Sequence, residues 1–345
     1  MDETPGTVAE ETAARRWGRW ALVAAGVVLG IAAAEAVSRR AFPGYDVGFG
    51  VEDFNIGGFR PPPGIFRPSE VLGWERDPSR DSRIGDAGFR RLYEPSLASV
   101  PPLKVLVLGD SIMDQIMRES RWQAEGRRLE RQWGRPVRID DFTGGGYGIH
   151  HYRRILEFKC VASQPDVLLI GFCINDVGGG VPVVMGVGSR MRMFSHINLR
   201  AEQPFSPWLF RWSHLYRATV LSGAWNTLLD PDRPVDDRID FEEAFSYIVR
   251  WCRDRDVRLL CAVFPYFQDP ETYDDLSRNA RKILFASFAR HGVRSFALEE
   301  RLPPRYWERY RNKKVPADYI HPDDEGVRVS RGLLVDFLAE AAVPD

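Results

Sequence analysis

The sequence has almost no net charge. It carries 47 Lys and Arg against 48 Asp and Glu, a formal charge of -1 over 345 residues. Without a basic excess there is no electrostatic reason to expect nucleic acid as a partner. Arginine is plentiful but interleaved with acids, as in WCRDRDVR at 251–258, which reads as a solvated mixed-charge surface. Cysteine is scarce: Cys160, Cys173, Cys252 and Cys261 form no CxxC pair and show no zinc-like spacing. Cys173 and Cys261 sit in apolar, strand-like runs, so buried free thiols are expected, with one disulfide as the alternative. There is no internal repeat. The glycine cluster at 144–148 has neither the G-x-G-x-x-G spacing nor a Walker lysine, which removes a phosphate cradle. His150 and His151 have no Cys, Asp or Glu at ligand spacing, so no metal site and no cofactor are expected.

What is present is an ordinary globular mix, 44% hydrophobic and 28% charged, able to bury a sizeable core in one large domain or two smaller ones. Ahead of it lies a long apolar run, WALVAAGVVLGIAAA at 20–34, reaching Val37 if Glu35 is tolerated near its end. That approaches the lower limit of about 17–25 residues for a spanning helix. Arg15, Arg16 and Arg19 precede the run, and Arg39 and Arg40 follow it. The slight basic excess on the leading side places the N-terminus in the cytoplasm. The expectation is a cytoplasmic tail over 1–19, a single-pass anchor over 20–37 and an extracytoplasmic remainder. The rival is a signal peptide cut within AAAEA at 32–36, giving a secreted chain.

Residues 38–100 are rich in Gly, Pro and Arg, and read as an irregular lead-in packing on the main domain. From 101 to 345 short apolar runs alternate with helical stretches. Strands are predicted over 103–108, 137–142, 165–173, 257–264 and 293–297, and helices over 113–133, 149–162, 240–255, 273–291 and 323–341. This alternation predicts an α/β fold, a doubly wound, mostly parallel sheet sandwiched by helices. Residues 178–237 break the rhythm and read as an insertion with only short helix candidates. Its Met191, Met193, Phe194, Trp208, Phe210 and Trp212 could line a pocket, with His196 and His214 in a lid or substrate wall, although plain packing is the simpler reading.

Chemistry belongs just after the carboxyl ends of such strands. The 103–108 strand ends in Gly109-Asp110-Ser111, which puts Ser111 at a strand-to-helix turn where free N–H groups favour developing negative charge. An ordinary helix-capping serine has the same signature. Gly144 to Gly146 follow the second strand, and glycine there can present N–H groups to a ligand. Asn175-Asp176 follows the third, and its amide can donate to an oxyanion. Asp318 and His321 lie three residues apart before the last helix; Asp can hold one imidazole nitrogen while the other faces a serine. Asp114 and Gln115 read as structural.

These segments, in this order, resemble the SGNH/GDSL hydrolase family. Gly109-Asp110-Ser111-Ile112 is similar to its first block, with Ile for the usual Leu. TGGGYGI at 143–149 is similar to the second, with Gly146 as the matching glycine. Asn175-Asp176 matches the third, although the glycine usually two residues before the Asn is replaced by Cys173, with Gly171 displaced by two. Asp318-x-x-His321-Pro322 matches the fifth. LGW at 72–74 followed by GFR at 88–90 resembles the lead-in of membrane-anchored members. The resemblance covers about 70–345 apart from the insertion. It implies a flavodoxin-like sandwich and a metal-free esterase with Ser111 as nucleophile, His321 as base, Asp318 as its orienting acid, and an oxyanion hole of the Ser111 N–H, the Gly146 N–H and the Asn175 side chain. It implies as substrate a small ester or an acylated carbohydrate, for example an O-acetyl ester of an envelope or exported polysaccharide. Two alternatives stand: an O-acyltransferase using the same acyl-serine, and a non-enzymatic module in a polysaccharide or secretion assembly. The oligomeric state is not specified by the sequence.

Overall fold

The computed structural model describes residues 6–41, 66–69, 71–85, 87–95, 100–118, 122–160, 164–177, 183–187, 190–194, 209, 213–216, 237–314 and 318–341. Its elements are α1 (Gly6–Ala41), β1 (Phe66–Ser69), β2 (Gly73–Arg76), β3 (Arg90–Tyr93), β4 (Leu103–Gly109), α2 (Ser111–Arg118), α3 (Trp122–Trp133), β5 (Val137–Thr143), α4 (Ile149–Arg154), β6 (Val167–Cys173), β7 (Val183–Val187), β8 (Arg190–Phe194), α5 (Asp237–Arg253), β9 (Arg258–Phe264), α6 (Asp275–His291), β10 (Arg294–Ala297), α7 (Tyr306–Tyr310) and α8 (Asp324–Ala341). The chain divides into two units, one of residues 1–51, 56–58 and 205–233, the other of 52–55, 59–204 and 234–345.

In the first unit, Trp17–Ala41 of α1 is long and apolar enough to cross a membrane, a property shared by signal sequences. Trp20, Val28, Leu29 and their apolar neighbours are exposed, so this stretch is not the core helix of a soluble domain. Near its end the Glu35 carboxylate accepts the N–H of His214 at 2.6 Å, the N–H of Leu215 at 3.0 Å and the Ser213 hydroxyl at 2.9 Å. The Ser38 hydroxyl lies 3.0 Å from Nδ1 of His214, which is buried. His214 is thus held by the N-terminal helix. His196, Trp208, Phe210 and Trp212 lie outside the described residues, as do the side chains of Met191, Met193 and Phe194.

The second unit holds a six-stranded sheet in the order β10-β9-β6-β4-β5-β3. All pairs are parallel except β3 on β5. The five parallel strands, taken in chain order, run 2-1-3-4-5, the flavodoxin-like order whose switch point lies beside the first, here β4. VLLIGFC of β6 is buried at all seven positions, as a strand covered on both faces must be. Helices α2, α3 and α8 pack together, and α4, α5 and α6 form a second group. All four cysteines are buried free thiols. Burial pushes each above its ordinary range, which keeps them unreactive.

The predicted strands and the last helix fall within a few residues of those observed. Three expectations need correction. The lead-in is not irregular throughout: it contains the β1–β2 hairpin, and β3 joins the main sheet. The helical stretch predicted over 113–133 divides into α2 and α3. The insertion is not merely loop with short helices, because β7 and β8 pair as an antiparallel hairpin.

Register levels the strand ends that matter. Gly109 at the end of β4 pairs with Thr143 of β5 and Gly171 of β6. A Cβ on Gly109 would stand 2.4 Å from Cβ of Met113, so only glycine lets α2 start this close to the sheet. The Met113 side chain also covers Gly171, the displaced glycine of the third block.

Candidate active site

Ser111 opens α2 directly after β4. Its Oγ lies 2.8 Å from Nε2 of His321, whose Nδ1 lies 2.9 and 3.0 Å from the two Asp318 oxygens. A carboxylate at Nδ1 requires the proton there, so Nε2 is the acceptor for the serine hydroxyl. Asp318 is fixed in turn. Its Oδ1 accepts the N–H of His321 at 3.0 Å and of Ile320 at 3.2 Å, and its Oδ2 accepts from Asn312 at 3.2 Å. Burial alone would raise the Asp318 carboxyl, but the His321 N–H and imidazole and the Asn312 amide outweigh it and hold it below its ordinary value. Asn312 gave no signal in the sequence beyond lying six residues before Asp318. It follows α7 and donates its backbone N–H to the His321 carbonyl at 3.3 Å, so it braces the loop from both sides.

The glycine loop begins level with Ser111. The Gly144 N–H donates to the Gly109 carbonyl at 3.1 Å, continuing the ladder past the strand end. The Tyr147 N–H donates to the Gly144 carbonyl at 3.1 Å, closing a turn with Gly146 at its third position and φ of 79°. A type II turn needs about +80° there, which glycine supplies without strain. His151 is buried, stacked on the Tyr147 ring at 4.7 Å and tilted against Trp74 at 5.1 Å.

Asn175 lies in a short 3-10 turn, Ile174–Asp176, at the end of β6. Its Oδ1 is buried with no hydrogen-bond partner. Beside it Asp176 is buried, accepting the Cys173 N–H at 2.9 Å and the Tyr152 hydroxyl at 3.0 Å. Burial, aided by the charge of Asp110, pushes Asp176 well above the carboxylate range. Burial likewise pushes Asp110 up to about 6, against the Ile112 N–H and the His321 imidazole. Asp110 Oδ1 accepts that N–H at 2.9 Å, fixing the first turn of α2.

Behind the loop lies a buried charge network that sequence reasoning missed. Arg90 makes a two-pronged pair with Asp141 at 2.7 and 2.9 Å. Arg76 pairs with Asp114 of α2 and donates to the Thr143 carbonyl at 3.0 Å. The Thr143 hydroxyl donates to Asp141 at 2.6 Å. Burial pulls the Arg76 guanidinium down to about 10 despite the facing Asp141. The one available signal was the lead-in motif: Arg90 ends GFR and Trp74 ends LGW. A cavity of about 590 Å³ adjoins the site, lined in part by Gln115, Arg118, Asn312, Lys313 and Lys314. Ser111, Asp318 and His321 are not among its lining residues. Among the described residues no His, Cys, Asp and Glu cluster could hold a metal.

The GDSL-like Lipase/Acylhydrolase family profile matches residues 107–329. No curated protein matches the chain. Similar solved structures include an α/β hydrolase from the metagenome of Lake Arreo, Spain, with 15% identity, 74% of this chain and 99% of that one covered, and a TM-score of 0.42. A GDSL-like lipase from Bacteroides thetaiotaomicron shows 10% identity, 70% and 89% coverage and a TM-score of 0.37. An acetylxylan esterase variant from Geobacillus stearothermophilus shows 13% identity, 72% and 98% coverage and a TM-score of 0.41. With the profile spanning well over half of its length, this chain belongs to the GDSL-like lipase/acylhydrolase family and is a hydrolase acting on ester bonds.

Proposed function

We propose that the chain cleaves a carboxylic ester through a Ser111–His321–Asp318 triad. The observation that carries this reading is the unbroken line of contacts, 2.8 Å from Ser111 Oγ to His321 Nε2 and 2.9 Å from His321 Nδ1 to Asp318. Ser111 Oγ attacks the ester carbonyl while His321 takes its proton. His321 then returns that proton to the departing alcohol, leaving an acyl-serine. Water, deprotonated by the same imidazole, releases the acid and restores the serine. Asp318 holds the ring and stabilises its charged form. The tetrahedral oxyanion is received by the N–H groups of Ser111 and Gly146 and by the Asn175 amide. One feature supports these assignments: the level ends of β4, β5 and β6, after which Ser111, the glycine loop and Asn175 follow.

For the substrate we put first a short acyl ester, such as an O-acetyl group, on an envelope or exported carbohydrate. Two observations favour it. The adjoining cavity carries amide and charged side chains of both signs, among them Gln115, Arg118, Asn312, Asp323 and Glu325, which suit the hydroxyl groups of a carbohydrate. The N-terminal apolar helix suits an anchor that holds the enzyme outside the cytoplasm.

The test is fluorophosphonate labelling of the detergent-solubilised full chain beside Ser111→Ala, read by intact mass, followed by product analysis on acetylated sugars. A single adduct that vanishes in Ser111→Ala is expected, with free acetate as product. Labelling or turnover that survives Ser111→Ala would sink the triad.

A further inference from the structure

We propose that the Trp74 indole is a positioning residue for the oxyanion: by holding the Gly145 carbonyl it fixes the direction in which the Gly146 N–H points. The proposal rests on the oxyanion hole assigned above. Trp74 is 1% exposed, and its Nε1–H donates to the Gly145 carbonyl at 3.0 Å. That carbonyl and the Gly146 N–H belong to one peptide unit. Among the described residues there is no cis peptide bond, so the unit is trans and its C=O and N–H point in opposite directions. A donor that holds the carbonyl on one side therefore aims the N–H to the other.

The loop needs such a hold because of its turn chemistry. The peptide between Gly145 and Gly146 is the central unit of the turn closed from Tyr147 N to Gly144 O. Type I and type II turns differ by a flip of that unit, and the type II form requires positive φ at the third position. Gly146, at 79°, is in the type II state. With glycine at both corners neither state is sterically barred, so side chains elsewhere must choose. In the flipped state a carbonyl would face the oxyanion, replacing attraction by repulsion.

The same short strand ties down both flanks of the turn. The Arg76 Nε–H donates to the Thr143 carbonyl at 3.0 Å, and the Tyr147 hydroxyl donates to the Trp74 carbonyl at 2.8 Å. Strand β2 of the lead-in thus clamps the loop at three successive points. Trp74 and its neighbours Thr143, Tyr147 and His151 are buried, so water does not replace a lost donor at low cost.

The experiment uses the full chain in detergent with p-nitrophenyl acetate and a boronic acid that mimics the charged tetrahedral state. Trp74→Phe keeps an aromatic ring against Tyr147 and His151 and removes the donor. The expected result is a kcat lower by roughly 10- to 100-fold, somewhat less than the loss of an oxyanion donor itself. KM stays within about twofold, and boronate affinity falls by a factor similar to kcat. If Trp74→Phe folds poorly, a benzothiophene analogue of tryptophan at position 74 replaces only the N–H by sulfur and carries the same expectation. Unchanged kcat, or a fall in kcat with boronate affinity intact, overturns the proposal. Ser111→Ala runs beside both; if it stays active the triad is wrong, whereas an inactive Ser111→Ala with a normal Trp74→Phe removes only the role of Trp74.

Discussion

At the residue scale, each candidate group is held by others that do no chemistry. Asp318 receives two backbone N–H groups and the Asn312 amide besides the imidazole, so both its position and its ionised state are set before a substrate arrives. Asp318→Asn would keep the shape but present an NH2 to Nδ1, pushing the imidazole toward the wrong tautomer. We expect kcat to fall by about 10³- to 10⁴-fold with little change in KM, measured by steady-state hydrolysis. Asp176 makes the opposite case. Its folded-state pKa is raised, chiefly by burial. The folded chain then binds this proton more readily than the unfolded one, so stability falls as pH rises from the ordinary carboxylate value through the raised one. Asp176→Asn removes that fall. Thermal melts should converge near pH 4 and separate by pH 8 with the variant higher, by about 2–4 °C for each kcal/mol regained. A variant that melts lower than the parent at pH 8 would contradict this. Ser111, Gly146, Asn175, Asp318 and His321 were legible as candidates because each follows a recognisable strand or precedes a recognisable helix, with a type suited to its position. Trp74, Arg76 and Arg90 were not, since their partners lie 71, 67 and 51 residues away in sequence and no local periodicity encodes such a distance.

At the scale of elements, α2 and the loop after β5 are joined by buried charge. Arg90 and Asp141 are essentially inaccessible, and Asp114 lies within 3.8 Å of the same guanidinium. Removing Arg90 leaves the buried Asp141 carboxylate without its two-pronged cationic partner. Arg90→Met is expected to destabilise by about 3–5 kcal/mol in chemical denaturation, and the double variant Arg90→Met with Asp141→Leu to recover much of it. Equal losses in the single and double variants would mean that packing, not charge, makes the contribution. This pairing also explains why β3 escaped a sequence reading. RRLY carries no alternation of apolar and polar residues, and Arg90 is buried only because Asp141 sits opposite it on β5. The inner strands were plain because LKVLVLG and VLLIGFC are apolar along nearly their whole length, as covered parallel strands are. The β7–β8 hairpin lies in a stretch whose Gly, Met and Arg give neither period.

At the scale of the whole molecule, the prediction concerns whether α1 stays attached. Length and composition fit an anchor and a signal sequence alike. The contacts within the first unit motivate a prediction that tells the two apart. Glu35 accepts two backbone N–H groups and one hydroxyl from residues 213–215, and Ser38 meets the buried His214. A cut after Ala34 would leave Glu35 as a free chain end, and a cut after Ala36 would delete it. The second cut would remove the acceptor that the 213–215 N–H groups now use, whereas the first would keep the carboxylate but detach it from the helix that positions it. A segment that the folded chain uses in this way is expected to be retained. Expressed with its native N-terminus and extracted from membranes, the protein should show an intact mass that includes residues 17–41, and it should resist release by alkaline carbonate. Glu35→Ala should stay in the membrane but become more sensitive to limited proteolysis around 209–216. A soluble species beginning at Glu35 or Val37 would establish cleavage instead.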